Sequence, residues 1–310
     1  MTAQAPLLEF GPLFEGRRAS DEALTGVMAH PAFTDVMRIV TSGSTDLLRG
    51  NRIVNAIMTD RGRFLLSVFA VYLHAQAKPR DPATGLTPSR MKALFAPHKI
   101  CSPGRIDAML TMMRLFGFLE QMPEAEDRRL RRLQPTERLM EWHRKRCRFT
   151  FLAISRLMPE GAAAVAAMDR PGFLQAFQSR LAEIYLSGYF YVEVVPETRM
   201  FFERNGGLVS VFSLLMAGES GDTFPPERPV SISFSSLSRT YGVSRAHLRR
   251  LLAHAETEGL ILRMEGKGDA WRILPKLADA TRKVIAHYIV HNAHAVRLAL
   301  GTPHQEGLAA

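Results

Sequence analysis

The sequence predicts a mainly α fold with small β-hairpins, built as two copies of a helix–helix–turn–helix–hairpin unit joined by a helical connector. Three observations lead to this reading. The chain repeats itself at a nearly constant offset. Each copy holds an amphipathic helix that opens on a serine and stops at a glycine. Short apolar stretches separated by a turn follow each of those helices.

The repeat runs through four elements in one order. LLSVF at Leu65–Phe69 returns as LVSVF at Leu208–Phe212, 143 positions later. SPGRIDAMLTMMRLFGFLE from Ser102 returns as SRAHLRRLLAHAETEGLIL from Ser244, at an offset of 142, so that Ile106 faces Leu248, Met109 faces Leu251, Leu110 faces Leu252 and Gly117 faces Gly259. RRLQPTERLMEW, ending at Trp142, resembles WRILPKLADATRKV from Trp271, with Pro135 facing Pro275 at an offset of 140. Length changes of this size belong in loops, where the entropy of closure varies slowly with length. A duplicated unit is the simplest source of four matches in order.

Taken along the chain, residues 1–60 read as an N-terminal helical segment, with apolar stretches at Val27–Ile39 and Leu47–Met58. The first unit spans 61–148 and the second 206–286. In each, an apolar helix (Phe64–Gln76; Leu208–Ala217) leads through a loop rich in Pro and Gly (Lys78–Pro88; Gly218–Pro229) to a second helix (Ser89–Pro97; Ser235–Tyr241). A tight turn then opens the third helix, whose first backbone N–H groups Ser102 or Ser244 can cap. Leu248, Leu251, Leu252 and Ala255 recur at helical spacing and mark its buried face, and Gly259 suits the left-handed residue that closes it. Strands at Leu260–Met264 and Ala270–Leu274 complete a hairpin. The connector, 149–205, is helical, with Phe173, Phe177, Leu181 and Ile184 on one stripe after a break at Pro171–Gly172; this stripe reads as core, with a dimer interface or a ligand pocket as alternatives. Residues 287–310 are the end of the last helix and a tail.

This element order is that of the winged helix-turn-helix. Tyr241-Gly242-Val243-Ser244-Arg245, followed by Glu258-Gly259-Leu260-Ile261, resembles the turn, third helix and first wing strand of bacterial transcription regulators of the GntR and MarR kinds. The resemblance covers about 80 residues of the second unit and is weaker in the first, where Ile100-Cys101-Ser102-Pro103-Gly104-Arg105 departs from the usual turn. It implies a regulator bound to double-stranded DNA, either as a homodimer, the commoner arrangement for single-unit members, or with both half-site contacts made by one chain.

The charge agrees with an acidic partner. The formal net charge is +10, and the nine Lys and Arg between Arg128 and Arg148, against Glu137 and Glu141, supply +7 of it. With the apolar face inward, Arg245, Ala246, Arg249, Arg250 and Ala253 face outward, with His247 and His254 at the margins. Arginine there can donate two bonds to a guanine edge or clamp a phosphate. The Ser244 hydroxyl is a phosphate donor, Lys267 sits at the tip of the second hairpin, and Arg239, Arg263, Arg272 and Lys276 can add backbone contacts. In the first unit Arg105 is the donor on the third helix, which also exposes Asp107, and Arg128, Arg129, Arg131 and Arg132 line the hairpin as a phosphate grip. A solvated charged edge that blocks aggregation is the other reading of that run.

Other chemistry is absent from the sequence. No phosphate-binding loop, dinucleotide fingerprint, nucleophile elbow or HExxH is present, so no enzyme and no cofactor are expected. His287, His291 and His294 share one helix face, but no cysteine or carboxylate completes a zinc set and no metal is expected. Two cysteines, no signal peptide and no membrane-length apolar run fit a cytoplasmic protein. A replication initiator with two such units, or a scaffold that uses them to hold protein, are the competing functions.

Overall fold

The computed structural model describes residues 5–50, 52–78, 81, 83–122, 132–219, 221–264 and 269–301. It is mainly helical, with small antiparallel sheets. The chain opens with β1 (Phe14–Glu15) and β2 (Arg18–Ala19), then α1 (Asp21–Ala29), α2 (Phe33–Leu48), α3 (Arg52–Met58) and α4 (Arg61–Ala75). The first repeat continues with α5 (Pro88–Phe95), α6 (Pro103–Leu115), β3 (Leu119–Gln121), β4 (Leu133–Pro135) and α7 (Glu137–Ser155). Next come α8 (Pro159–Ala167), α9 (Phe173–Leu186), α10 (Tyr191–Val194) and α11 (Arg199–Glu203). The second repeat holds α12 (Gly207–Leu215), β5 (Val230–Ser231), α13 (Phe234–Tyr241), α14 (Arg245–Thr257), β6 (Ile261–Arg263), β7 (Ala270–Ile273) and α15 (Pro275–Leu300).

Local hydrogen bonding follows the sequence repeat closely. Ser102 and Ser244 cap α6 and α14, their hydroxyls accepting the N–H of Arg105 at 3.3 Å and of His247 at 3.2 Å. Gly117 and Gly259 close the two helices at φ +69° and +68°, and the next residue folds back, Phe118 N–H to Met113 at 2.8 Å and Leu260 N–H to Ala255 at 2.9 Å. Hairpins β3–β4 and β6–β7 follow.

Three local features differ from the sequence reading. The stretch Val27–Ile39 is two helices, because Pro31 lacks an N–H and His30 uses both ring nitrogens in the bend: Nε2 donates to Pro6 at 3.0 Å and Nδ1 accepts from Ala32 at 3.1 Å. The loop expected over Gly218–Pro229 ends in a strand, since β5 pairs with β7 and gives a three-stranded sheet in the order β5-β7-β6. The first repeat carries the same feature as a single bridge between Leu86 and Leu133. The unusual turn before α6 is explained by Lys99, which adopts the left-handed conformation at φ 53° two residues before Cys101. Gly242 does the same before α14, with only Val243 between it and the cap.

The chain divides into two compact units that are discontinuous in sequence. One contains Leu24–Phe64 and Phe190–Tyr288, with the start of the chain to Pro6. The other contains Leu7–Ala23, Leu65–Tyr189 and the chain from Ile289 onward. The segment read as a connector is thus shared out: α8 and α9 belong to the second unit, and α10 and α11 to the first. The Phe173–Ile184 stripe is buried core. Phe177 meets Phe151 of α7 edge to face at 5.0 Å.

That second core holds an unusual buried set along α7. His143, Arg146, Cys147 and Thr150 are all buried, with the Arg146 guanidinium 6.0 Å from the Phe177 ring. Burial, then the charge of Arg146, lowers the His143 pKa to about 3, against an opposing hydrogen bond with the Ser67 backbone. The unfolded imidazole titrates near 6.5. Between those values the unfolded chain binds a proton that the native chain refuses, so stability is full above about pH 6.5 and falls as the pH drops towards 3. The loss from this group is of the order of 4 kcal/mol at pH 3. Urea unfolding at a series of pH values should show it, and His143→Gln should flatten the slope between pH 6.5 and 4. Equal slopes in the two proteins would remove His143 from the account.

Candidate nucleic-acid interface

The helix pair α13–α14 stands on supports from within its own unit. Ser233 caps α13 by accepting the Ser236 N–H at 3.2 Å, and the Gly242 N–H closes that helix onto Ser238 at 3.0 Å. Asn55 Nδ2 donates to the Tyr241 carbonyl at 3.0 Å, and the Gly50 N–H donates to Thr240 at 3.1 Å, which fixes the end of α13. Gly206, at φ +72°, lets α12 start so close to Val243 that an added Cβ would lie 2.6 Å from a Val243 methyl. The Asn205 side chain accepts from the Thr59 hydroxyl at 2.8 Å, and its carbonyl accepts from His247 Nε2 at 2.8 Å.

Helix α14 buries Leu248, Leu251, Leu252 and Ala255 and exposes Arg245, Ala246, Arg249, Arg250 and Ala253, with His247 and His254 between the faces. This is the face division that the apolar spacing predicts. Among the described residues, no carboxylate lies within ion-pair distance of Arg239, Arg245, Arg249, Arg250 or Arg272, all of which are exposed. Arg249 is steadied by the Phe234 ring, 5.6 Å from its guanidinium. Ser244 is exposed at the start of α14; its oxygen serves the cap while its proton stays available to donate.

Several candidates lie elsewhere or are already engaged. His247 is turned back against Asn205, so its Nε2–H is used in fixing the helix rather than facing outward. Arg263 sits between Asp269, at 4.0 Å, and the Trp271 ring, and Lys276 donates to the Glu258 carbonyl at 2.9 Å, capping the end of α14. Arg105 is exposed in the first turn of α6, whose Asp107 is paired with Lys92 at 2.9 Å. Arg132 is a correction to the expected phosphate grip. It is 4% exposed, and its guanidinium donates to the carbonyls of Lys78, at 3.3 Å, and Asp81. A charged donor shared by two carbonyls pins the loop before α5, and Arg132→Ala is expected to cost about 1.5–3 kcal/mol of stability. Chemical unfolding of the two proteins checks this, and equal stabilities would remove the role of Arg132 in the loop. Arg128, Arg129, Arg131 and Lys267 lie outside the described residues.

Sequence reasoning missed the scaffold of the site. Phe234, Asn55, Asn205 and Gly206 act through tertiary contacts, and their separation along the chain hides them. Strand β5 was open to discovery, since Val230-Ser231-Ile232 alternates after Pro229. For the three histidines of α15, His287 falls in one unit while His291 and His294 fall in the other, against Phe14 and Tyr189. Among the described residues no group of three His, Cys, Asp or Glu is placed to hold a metal, and no helix is long and apolar enough to cross a membrane. Comparison of the chain with protein families, with curated proteins and with solved structures finds no match.

Proposed function

We propose that this protein is a sequence-specific DNA-binding regulator of transcription. In this reading the two repeats are winged helix-turn-helix units, and α14 is the helix that enters the major groove. The observation that carries it is the exposed face of α14, where three arginines stand without a carboxylate partner among the described residues, flanked by Arg239 and Arg272. A face of that kind suits guanine edges and phosphates. At 13 residues, α14 is about 20 Å long and of a width that the major groove admits. Ser244 and the N-terminus of α14 supply further phosphate donors, and the net charge of +10 supports an anionic partner.

Selection from a random-sequence duplex pool at two salt concentrations tests the reading. A sharp motif is expected, with retention falling steeply as salt rises. Its symmetry reports whether one chain or a homodimer engages, and tandem copies in place of a palindrome favour a replication initiator. Retention with no motif leaves a non-specific binder, and no retention at either salt rejects DNA as the partner.

A second reading rests on α6, which differs in kind. Its outer face presents Met112, 37% exposed, and Leu115, 75% exposed, beside the Lys92–Asp107 ion pair. Such a face favours protein over phosphate, so the first repeat is the one to test as a protein-contact module. Binding that ignores salt and survives loss of Arg245 and Arg249 marks the scaffold.

A further inference from the structure

An open cleft of about 430 Å³ lies beside the C-terminal end of α14, and we infer that it binds a small zwitterion of the amino-acid class, through Arg204 and Lys276 for the carboxylate and Glu197 and Glu258 for the ammonium. Arg199, Glu203 and His254 also line it. The volume is in the range of small-ligand sites.

Among the described residues, the cleft carries groups of both signs that lack an oppositely charged partner. Glu203 is already neutralised, with Arg61 at 3.2 Å and Arg199 at 4.0 Å. Among the described residues, Arg204 and Lys276 have no carboxylate within ion-pair distance, and Glu197 has no basic group within it. The only acid–base contact of Glu258 among these residues is His254 Nε2, at 3.5 Å. A dicarboxylate would meet Glu197 and Glu258 with like charge, and a diamine would meet Arg204 and Lys276 in the same way. A molecule carrying one charge of each sign satisfies all four.

The cleft is joined to α14 by a chain of contacts. Arg204 donates to His254 Nδ1 from both terminal nitrogens at 3.3 Å. A guanidinium can only donate, so Nδ1 is the acceptor and Nε2 carries the proton that faces Glu258. Lys276 holds the last carbonyl of the same helix. A ligand taking Arg204, Lys276 and Glu258 therefore acts on the final turn of the helix that carries Arg245, Arg249 and Arg250. That regulatory consequence rests on the DNA reading above; the binding itself does not.

Calorimetric titration of the full chain with each of the twenty amino acids, with succinate and putrescine as single-sign probes, tests the site. At least one amino acid should bind saturably, and both Arg204→Ala and the rim substitution Glu197→Gln should weaken it about tenfold or more with the fold intact by circular dichroism. Arg249→Ala should leave that binding unchanged. No binding by any amino acid, or succinate or putrescine binding as tightly as the best of them, overturns the assignment. In the second arm, DNA affinity is measured with and without the bound amino acid. An unchanged affinity overturns the coupling alone. A chain that binds the amino acid but retains no DNA overturns the DNA reading and leaves the ligand site standing.

Discussion

Gly161→Ala is expected to destabilise the unit that contains α7 and α8 by about 3 kcal/mol or more. Gly161 is buried in the first turn of α8, where the chain doubles back on α7. A Cβ there would lie 2.0 Å from the Ser155 nitrogen and 2.5 Å from the Ile154 carbonyl carbon. Both neighbours are backbone, so no side chain can rotate away, and α8 has to lift off α7. Helix propensity acts the other way, since alanine exceeds glycine by about 1 kcal/mol in a helix, but the overlap is the larger effect. At about 2–4 °C per kcal/mol the melting temperature should fall by about 6–12 °C. Gly104, in the first turn of α6, is the control: nothing lies within 4 Å of its added Cβ, so Gly104→Ala should be neutral or stabilise by about 0.5 kcal/mol. Thermal denaturation of the three proteins decides, and a Gly161→Ala protein as stable as the parent rejects the tight α7–α8 approach.

Arg249→Ala is expected to cost about 1–3 kcal/mol of specific DNA binding, roughly 5- to 150-fold in Kd, with much less loss on unrelated sequence. Arg249 lies on the exposed face of α14, and its guanidinium sits over the ring of Phe234, the first residue of α13. A held donor loses little side-chain entropy on reaching a base edge, which separates it from the neighbouring arginines, for which no ring contact is seen among the described residues. Arg272→Ala, on the exposed face of β7, should act differently: a modest loss on every sequence and a salt slope shallower by about one. Titrations on the selected site and on a scrambled duplex, each at three salt concentrations, separate the two roles. Equal losses on both duplexes would make Arg249 a phosphate contact, and no loss on either would remove α14 from the groove. Phe234→Leu keeps the apolar packing and removes the ring's charge distribution, so a smaller loss of specific binding is expected from it.

Much of the local structure was legible because each signal is made by neighbours in the chain. Ser102 and Ser244 cap within three residues, and Gly117 and Gly259 close their helices with bonds five residues long. The apolar spacing of Leu248, Leu251, Leu252 and Ala255 placed the arginines of α14 on its outer face. Arg132 was misread for the same reason in reverse. A run of arginines looks uniform in sequence, yet one turns inward because two loop carbonyls, 51 and 54 positions away, need a donor.

The sequence by itself therefore determined the repeat, the order of elements within it, the caps, and which face of α14 is polar. All of these follow from contacts a few residues apart or from hydrophobic periodicity. Only the tertiary structure decided which charged groups are left over. It turned His247 and Arg132 inward, set Phe234 beneath Arg249, and left Arg204, Lys276 and Glu197 around one cleft with no oppositely charged group in ion-pair distance among the described residues. The reason is physical: whether a charge has a partner depends on distances between residues far apart in the chain, and the folded backbone alone sets those distances.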